Sequence, residues 1–196
     1  MRKTSGHMKT KSNMASGNSH ASFVQEAFRK LSVDSHHLLD LKQEQEDAVI
    51  CLLERRDVFA VMPTGYGKSF VFQLFAKAME AKKVYEGRLS DTIVLVVCPL
   101  SSIIKDQVKE GLSIGLNCVA LRDLKDIESV NSQIIFASAE EALNNDFQRV
   151  LKDRDSRFKE AVELIVVDES HTVEIWTGQR FVIILFKILR YSLLDY

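Results

Sequence analysis

The spacing of hydrophobic residues predicts two helices near the start of the chain, followed by alternating strands and helices. Phe23, Ala27, Phe28 and Leu31 recur at helical spacing and predict a short amphipathic helix. A second helix is predicted over about Gln43–Arg55. The predicted strands that follow are Asp57–Met62, Thr92–Cys98, Asn117–Leu121, Gln133–Ala137 and Glu163–Asp168. The predicted helices that follow are Lys68–Ala81, Leu100–Ile114, Ala139–Leu151 and Arg157–Ala161.

Two of these strands are apolar throughout rather than alternating. The runs 93–97 and 164–167 contain only Ile, Val and Leu. Such runs are typical of strands buried on both faces, as in a parallel sheet covered by helices. Strand–helix alternation therefore predicts an α/β fold with a mostly parallel sheet and helices on both faces. Ligands of such sheets bind beyond the carboxyl ends of the strands.

Composition is that of a globular chain about one domain long. Of the 196 residues, 46% are hydrophobic and 27% are charged. Residues 1–22 are polar, carry four basic residues and no acidic one, and are predicted to be a disordered tail. The remaining chain then has a net charge of −5, since the total is −1. A near-neutral total argues weakly against a nucleic-acid partner, because phosphate binding usually needs a basic surface.

Targeting and cysteine patterns predict an intracellular protein, in the nucleus of a eukaryote or otherwise in the cytoplasm. The N-terminal region lacks the apolar segment that a signal peptide requires, so no signal peptide is predicted. The longest apolar run, 181–194, is shorter than the ~20 residues of a membrane-spanning helix. The three cysteines are widely spaced without a C-x-x-C motif, which argues against a disulfide scaffold or a zinc site.

A glycine-bearing loop follows the first predicted strand and precedes a helix. The stretch Met62–Ser69 reads Met-Pro-Thr-Gly-Tyr-Gly-Lys-Ser, with methionine where the general phosphate-loop pattern has its first glycine. Gly65 and Gly67 allow the backbone to wrap a phosphate, and the helix directs its N-terminal dipole at the same anion. Lys68 is predicted to contact the β- and γ-phosphates, and Ser69 to bind Mg²⁺. An ordinary glycine turn with a helix cap is the alternative.

A pair of acids follows the last predicted strand. Asp168 is predicted to hold Mg²⁺, partly through water, and Glu169 to orient or deprotonate an attacking water. Adjacent acids are otherwise typical of a solvated surface. Their position after a buried strand, about 100 residues beyond the glycine loop, favours the catalytic interpretation.

With these motifs the sequence resembles the first RecA-like domain of superfamily 2 helicases, and among them the RecQ family. The resemblance covers about residues 23–178. The stretches that carry it are Leu41–Gln45, the glycine loop with Met62–Gly65, Cys98–Gln107, and Asp168–His171 with Trp176. It implies a RecA-like P-loop domain over 23–180, with 181–196 as an apolar tail unlike the family.

The resemblance implies an ATP and Mg²⁺ site. Gln45 corresponds to the family's adenine-contacting glutamine, although a surface helix residue is the alternative. Lys42 stands where the family usually has arginine, and Thr64 and Tyr66 belong to the phosphate loop. His171 corresponds to the residue that couples the nucleotide site to the DNA-facing loop.

The resemblance also implies contacts with single-stranded or forked DNA. Ser101, Ser102 and Lys105 occupy a segment that faces the nucleic-acid strand in the family, with a plain helix start as the alternative. Trp176 corresponds to the tryptophan of an aromatic-rich loop and could stack on a base or simply pack.

The expected function is that of an ATP-dependent DNA helicase of RecQ type, with the DNA repair and recombination roles of that family. The complete enzyme steps 3′ to 5′ and needs a second RecA-like domain. That domain is expected to be absent from this chain, which therefore should not unwind DNA alone. No protein partner is indicated. The alternatives are another superfamily 2 ATPase that acts on RNA, or an inactive nucleotide- or nucleic-acid-binding module.

Overall fold

The structure is a computed structural model that describes residues 11–34, 40–63, 65–88, 91–98 and 100–168, with side chains from residue 20 onward. Its helices are α1 Lys11–Asp34, α2 Gln43–Leu53, α3 Lys68–Tyr85, α4 Ser101–Ser113, α5 Ala139–Ala142, α6 Asn145–Lys152 and α7 Arg157–Ala161. Its strands are β1 Ile93–Cys98, β2 Cys118–Ala120, β3 Ile134–Ser138 and β4 Val162–Val167. A 3₁₀ turn covers Leu121–Asp123.

The four strands form one parallel sheet in the order β2-β3-β1-β4. β1 pairs with β3 from Val94↔Ile134 to Cys98↔Ser138. On its other side it pairs with β4, where Val97 lies opposite Val167. The carboxyl ends of these strands therefore meet at one edge of the sheet. The predicted α/β class with a mostly parallel sheet is confirmed.

Alternate residues of the central strand enter two separate hydrophobic cores. Val94 and Val96 face the core built with α1 to α4, whereas Leu95 and Val97 face the core built with α5 to α7. All six residues of β1 are buried. Helices thus cover both faces, which explains why this strand is apolar throughout rather than alternating.

Residues 57–62, predicted as the first strand, form no strand. They follow α2 without regular secondary structure, and no backbone hydrogen bond joins them to any of the described strands. Val58 and Met62 pack against the core, but the Phe59 and Val61 side chains are each 82% exposed. Residues 57–62 have the hydrophobic composition of a strand. A strand also requires a hydrogen-bonded neighbour, and none of the described strands pairs with this segment.

Two predicted helix boundaries also differ from the structure. Helix α1 begins at Lys11, so residues 11–22 of the predicted disordered tail are helical. Adding residues to an existing helix costs little once its packed part has formed, because nucleation is the costly step. The single helix predicted over Ala139–Leu151 is instead split between α5 and α6, where Asn144 takes a non-helical conformation and its side chain accepts the Asp146 N–H.

Candidate functional site: a phosphate loop at the sheet edge

The predicted phosphate loop has the backbone geometry that its glycines permit. Gly65 and Gly67 adopt φ values of 76° and 85°, in the left-handed region that favours glycine. Gly67 is the N-terminal cap of α3 and, as a glycine, has no side chain with which to cap that helix. Lys68 and Ser69 form the start of its first turn and are half-buried. The loop therefore leads directly into a helix N-terminus, the arrangement that binds phosphate through backbone N–H groups.

Gln45, near the beginning of α2, is hydrogen-bonded to the backbone of this loop. The Gln45 amide nitrogen lies 3.0 Å from the carbonyl oxygen of Tyr66 and 3.0 Å from that of Gly67. Its amide oxygen accepts the Lys42 N–H at 3.0 Å. The Gln45 side chain is only 2% exposed. The alternative of Gln45 as a surface helix residue is therefore wrong.

Lys42 and Glu44, at the N-terminus of α2, also contact Tyr66. The Lys42 ammonium donates to the Tyr66 carbonyl oxygen at 3.2 Å and lies 3.7 Å above the centre of the tyrosine ring. The Tyr66 hydroxyl donates to a carboxylate oxygen of Glu44 at 3.0 Å. Hydrogen bonds from its own backbone N–H and from Tyr66 lower the pKa of Glu44, and the same tyrosine contact raises the pKa of Tyr66. Sequence reasoning missed Glu44, because nothing in the spacing of these residues connects it with Tyr66.

Asp168 lies at the carboxyl edge of the sheet, directly beside the end of β1. Its backbone N–H donates to the Val97 carbonyl oxygen at 3.0 Å, which extends the β1–β4 ladder by one residue. Burial, assisted by the negative charge of Asp168, raises the pKa of the neighbouring Cys98 thiol to about 12. The carboxylate thus occupies the edge of the sheet where the fold predicts a ligand.

Helix α4 begins at the same edge, because it follows β1. Ser101, Ser102 and Lys105 are all exposed on its first turns. Leu100 is the N-cap and makes no side-chain hydrogen bond to the helix. These three side chains are accessible to a ligand, as the predicted nucleic-acid contacts require.

Four of the predicted site residues lie outside the described residues. They are Thr64, Glu169, His171 and Trp176.

Two further findings concern metals and membranes. Where the structure describes the chain, no group of three or more His, Cys, Asp and Glu residues is placed to hold a metal ion. No helix in those ranges is long and apolar enough to cross a bilayer.

A parallel sheet with a glycine loop opening one helix and an acid at the carboxyl edge defines the class of RecA-like P-loop domains. The DEAD/DEAH box helicase family model matches residues 42–192, and the chain belongs to that family. The match continues past the predicted domain boundary at residue 180.

Three similar proteins are ATP-dependent DNA helicases by name. The chain is 31% identical to helicase hus2/rqh1 of Schizosaccharomyces pombe over 71% of its length, and 31% identical to helicase Q5 of Rattus norvegicus over 67%. It is 26% identical to RecQ of Haemophilus influenzae over 69%. The resemblance to RecQ-family helicases is therefore confirmed. The chain spans only 11%, 14% and 21% of the lengths of these three proteins.

Proposed function

We propose that this chain binds ATP with Mg²⁺ at the loop 63–69 and hydrolyses it as the ATP-binding part of a RecQ-type DNA helicase. The observation that carries this proposal is the left-handed backbone of Gly65 and Gly67 at the N-terminus of α3, with the Tyr66 and Gly67 carbonyls bound by the Gln45 amide. Family membership and the names of the relatives favour the same reaction.

The chemistry of the residues fits a magnesium nucleotide. The Ser69 hydroxyl and the Asp168 carboxylate would supply oxygen ligands of the kind that Mg²⁺ prefers. Lys68, in the first turn of α3, offers positive charge to the β- and γ-phosphates. When bound, Mg²⁺ neutralises charge that develops on the phosphates during transfer. Glu169 follows Asp168 directly and is proposed to orient the attacking water, with His171 coupling this site to the DNA-facing surface.

Titration calorimetry with the full chain tests the nucleotide site. Lys68→Ala should weaken ATP·Mg²⁺ binding roughly 10- to 100-fold, the size of a hydrogen bond to a charged group. Lys77→Ala, further along the same helix and paired with Glu80, is the matched control and should bind normally. Equal binding by wild type and Lys68→Ala would contradict the proposal.

A second experiment tests whether Asp168 contributes to ATP binding through Mg²⁺. Asp168→Asn removes the negative charge but keeps the size of the side chain. It should weaken ATP binding in the presence of Mg²⁺ and leave binding unchanged in EDTA. A loss of the same size in both conditions would show that Asp168 acts through the fold and not through the metal.

The proposed nucleic-acid partner is single-stranded or forked DNA, contacted by Ser101, Ser102, Lys105 and Trp176. The exposure of the three residues on α4 supports this. The relatives are named as DNA helicases, which favours DNA over the RNA alternative. ATP hydrolysis stimulated by single-stranded RNA but not by single-stranded DNA would overturn this choice. A protein of this kind would act where the DNA is, in the nucleus or the bacterial cytoplasm.

A further inference from the structure

The outer side of β4 is unpaired in the part of the chain that the structure describes. On the inner side, the Asp168 N–H donates to the Val97 carbonyl oxygen of β1. Since N–H groups alternate between the two sides of a strand, those of Ile165 and Val167 point away from β1. No described strand lies on that side, and neither N–H donates to another described residue there. β4 therefore presents backbone donors that a further strand could use.

This edge lacks the features that usually protect an exposed strand from pairing. β4 contains no proline and no lysine, and five of its six residues are apolar. Its one charged residue, Glu163, has a side chain that is only 4% exposed and lies 2.8 Å from the buried Lys83 ammonium. The charge is thus turned inward and does not guard the edge. An apolar edge of this kind is a template for another strand.

Residues 57–62 lie near this edge without pairing to it. The Arg55 guanidinium is 2.7 Å from a carboxylate oxygen of Glu163, which places the start of the segment near the start of β4. Two residues of the segment pack against the same hydrophobic core as alternate residues of β4. Neighbouring strands lie about 4.8 Å apart and are joined by hydrogen bonds, and no such bond joins this segment to β4. The sheet therefore has an open position beside β4.

The run 181–186, outside the described residues, has the composition and length that this position requires. It reads Phe-Val-Ile-Ile-Leu-Phe, six residues without a polar side chain, and β4 is also six residues long. A strand with a neighbour on each side and helices over both faces is apolar throughout. Residues 169–180 separate the run from Asp168, and these twelve residues meet the minimum of about a dozen for a parallel crossover.

We propose that residues 181–186 form a fifth parallel strand, which docks between β4 and the segment 57–62. The Ile165 and Val167 N–H groups would donate to its carbonyl oxygens. The segment 57–62 would then gain the hydrogen-bonded neighbour that it does not have among the described residues. Because this segment leads directly into the loop 63–69, docking of the fifth strand also fixes the start of the phosphate loop.

Nuclear magnetic resonance of the full chain tests the docking directly. We expect the Ile165 and Val167 amide protons to exchange slowly with deuterium and to show nuclear Overhauser contacts with residues 181–186. Residues 57–62 should show contacts with the same run from its other side. Rapid exchange of both amides would overturn the proposal. Overhauser contacts that join β4 directly to residues 57–62 would also overturn it.

A proline substitution gives a second test. Ile184→Pro removes a backbone donor from the middle of the proposed strand, where an interior strand does not accept proline. It should speed exchange at Ile165 and Val167 roughly tenfold or more, the effect of at least one lost hydrogen bond. The Val166 N–H points to β1 and should remain protected, which shows that the rest of the sheet persists.

Ser192→Pro is the matched control, because it lies in the same apolar tail but outside the proposed strand. It should leave exchange at Ile165 and Val167 unchanged. Equal exchange in Ile184→Pro and the wild type would overturn the proposal. Protection of these amides that falls on dilution would assign the position to a second copy of the chain and overturn it as well. If Ile184→Pro does not fold, the Overhauser contacts of the wild type decide.

Discussion

The Lys83 ammonium lies 2.8 Å from a carboxylate oxygen of Glu163, and both side chains are almost completely buried. Lys83 also donates to the Asp91 carbonyl oxygen. The other Glu163 oxygen is 2.7 Å from the Arg55 guanidinium. This cluster ties the C-terminal part of α3 and the residues after α2 to the beginning of β4. It lies at the amino end of β4, whereas Asp168 follows the carboxyl end of that strand.

We expect Glu163→Ala to lower the free energy of unfolding by about 3–5 kcal/mol, because it leaves the buried Lys83 charge without its carboxylate. Urea denaturation measures this change. Glu26→Ala breaks an exposed pair with Lys30 and should cost at most about 1 kcal/mol. Equal effects of the two substitutions would contradict a special contribution of the buried pair. The double variant Lys83→Met/Glu163→Leu should recover most of the loss, since no buried charge is left unpaired and Arg55 is half-exposed to solvent.

Gly111 is the contact point between α4 and β2. A Cβ atom on this glycine would lie 2.3 Å from the Cys118 sulfur. Gly111→Ala should therefore lower the free energy of unfolding by about 1–3 kcal/mol through overpacking, despite the better helix propensity of alanine. Thermal or urea unfolding measures the loss.

The pairing with Cys118 can be tested directly. Adding Cys118→Ala to Gly111→Ala removes the clashing sulfur and should make the glycine substitution less costly in the double variant than in the single one. Leu112→Ala, at an exposed neighbour on the same helix, should change stability by less than about 0.5 kcal/mol. Purely additive effects at positions 111 and 118 would rule out the contact.

The three free cysteines should differ in reactivity. Burial raises the pKa of both Cys98 and Cys118 to about 12. Only about one in ten thousand of these thiols would be ionised at pH 8, and the thiolate is the reactive form. Iodoacetamide should therefore label the half-buried Cys51 first in the native protein, and all three in urea. Raising the pH to 9 should still leave Cys98 and Cys118 unlabelled, and mass spectrometry of peptides reads out each site.

Rapid labelling of Cys98 in the native protein would contradict this prediction. Rapid native labelling of Cys98 at pH 8, at the rate found in urea, would show that the end of β1 opens to solvent. It would also contradict the close packing of β1 between its two neighbours.

Lys105 is proposed to contact a DNA phosphate. Lys105→Ala should weaken binding of single-stranded DNA and lower the steepness of its salt dependence by about 0.7 in log–log slope, the value for one phosphate contact. Fluorescence anisotropy over a range of salt concentrations measures both. Lys152→Ala, at the end of α6, removes an exposed charge outside the proposed DNA surface. An unchanged salt slope for Lys105→Ala would remove Lys105 from the interface.

The sequence pattern of a single short segment was enough to predict several structural features. The apolar run of β1 predicted a parallel strand buried on both faces, and all six of its residues are buried. The run of β4 correctly predicted a parallel strand, but its residues are only half-buried, because β4 lies at the edge of the described sheet. The glycines at 65 and 67 predicted the loop, because their backbone conformations are steeply unfavourable for other residues. Helix α4 was predicted within one residue at each end.

Local pattern failed where the answer depends on a neighbour distant in sequence. Residues 57–62 have the composition of a strand, but pairing decides whether one forms, and no described strand pairs with them. The break between α5 and α6 depends on the conformation of Asn144, which the hydrophobic spacing does not reveal.

The sequence by itself determined the α/β class, the phosphate loop and the helicase family of this protein, since short motifs with fixed chemistry carry all three. Only the tertiary structure decided which groups the Gln45 side chain contacts. Its contacts lie 21 and 22 residues away along the chain, on the carbonyls of Tyr66 and Gly67. The direction of an amide's hydrogen bonds follows from how α2 packs beside the loop, which residue spacing does not encode.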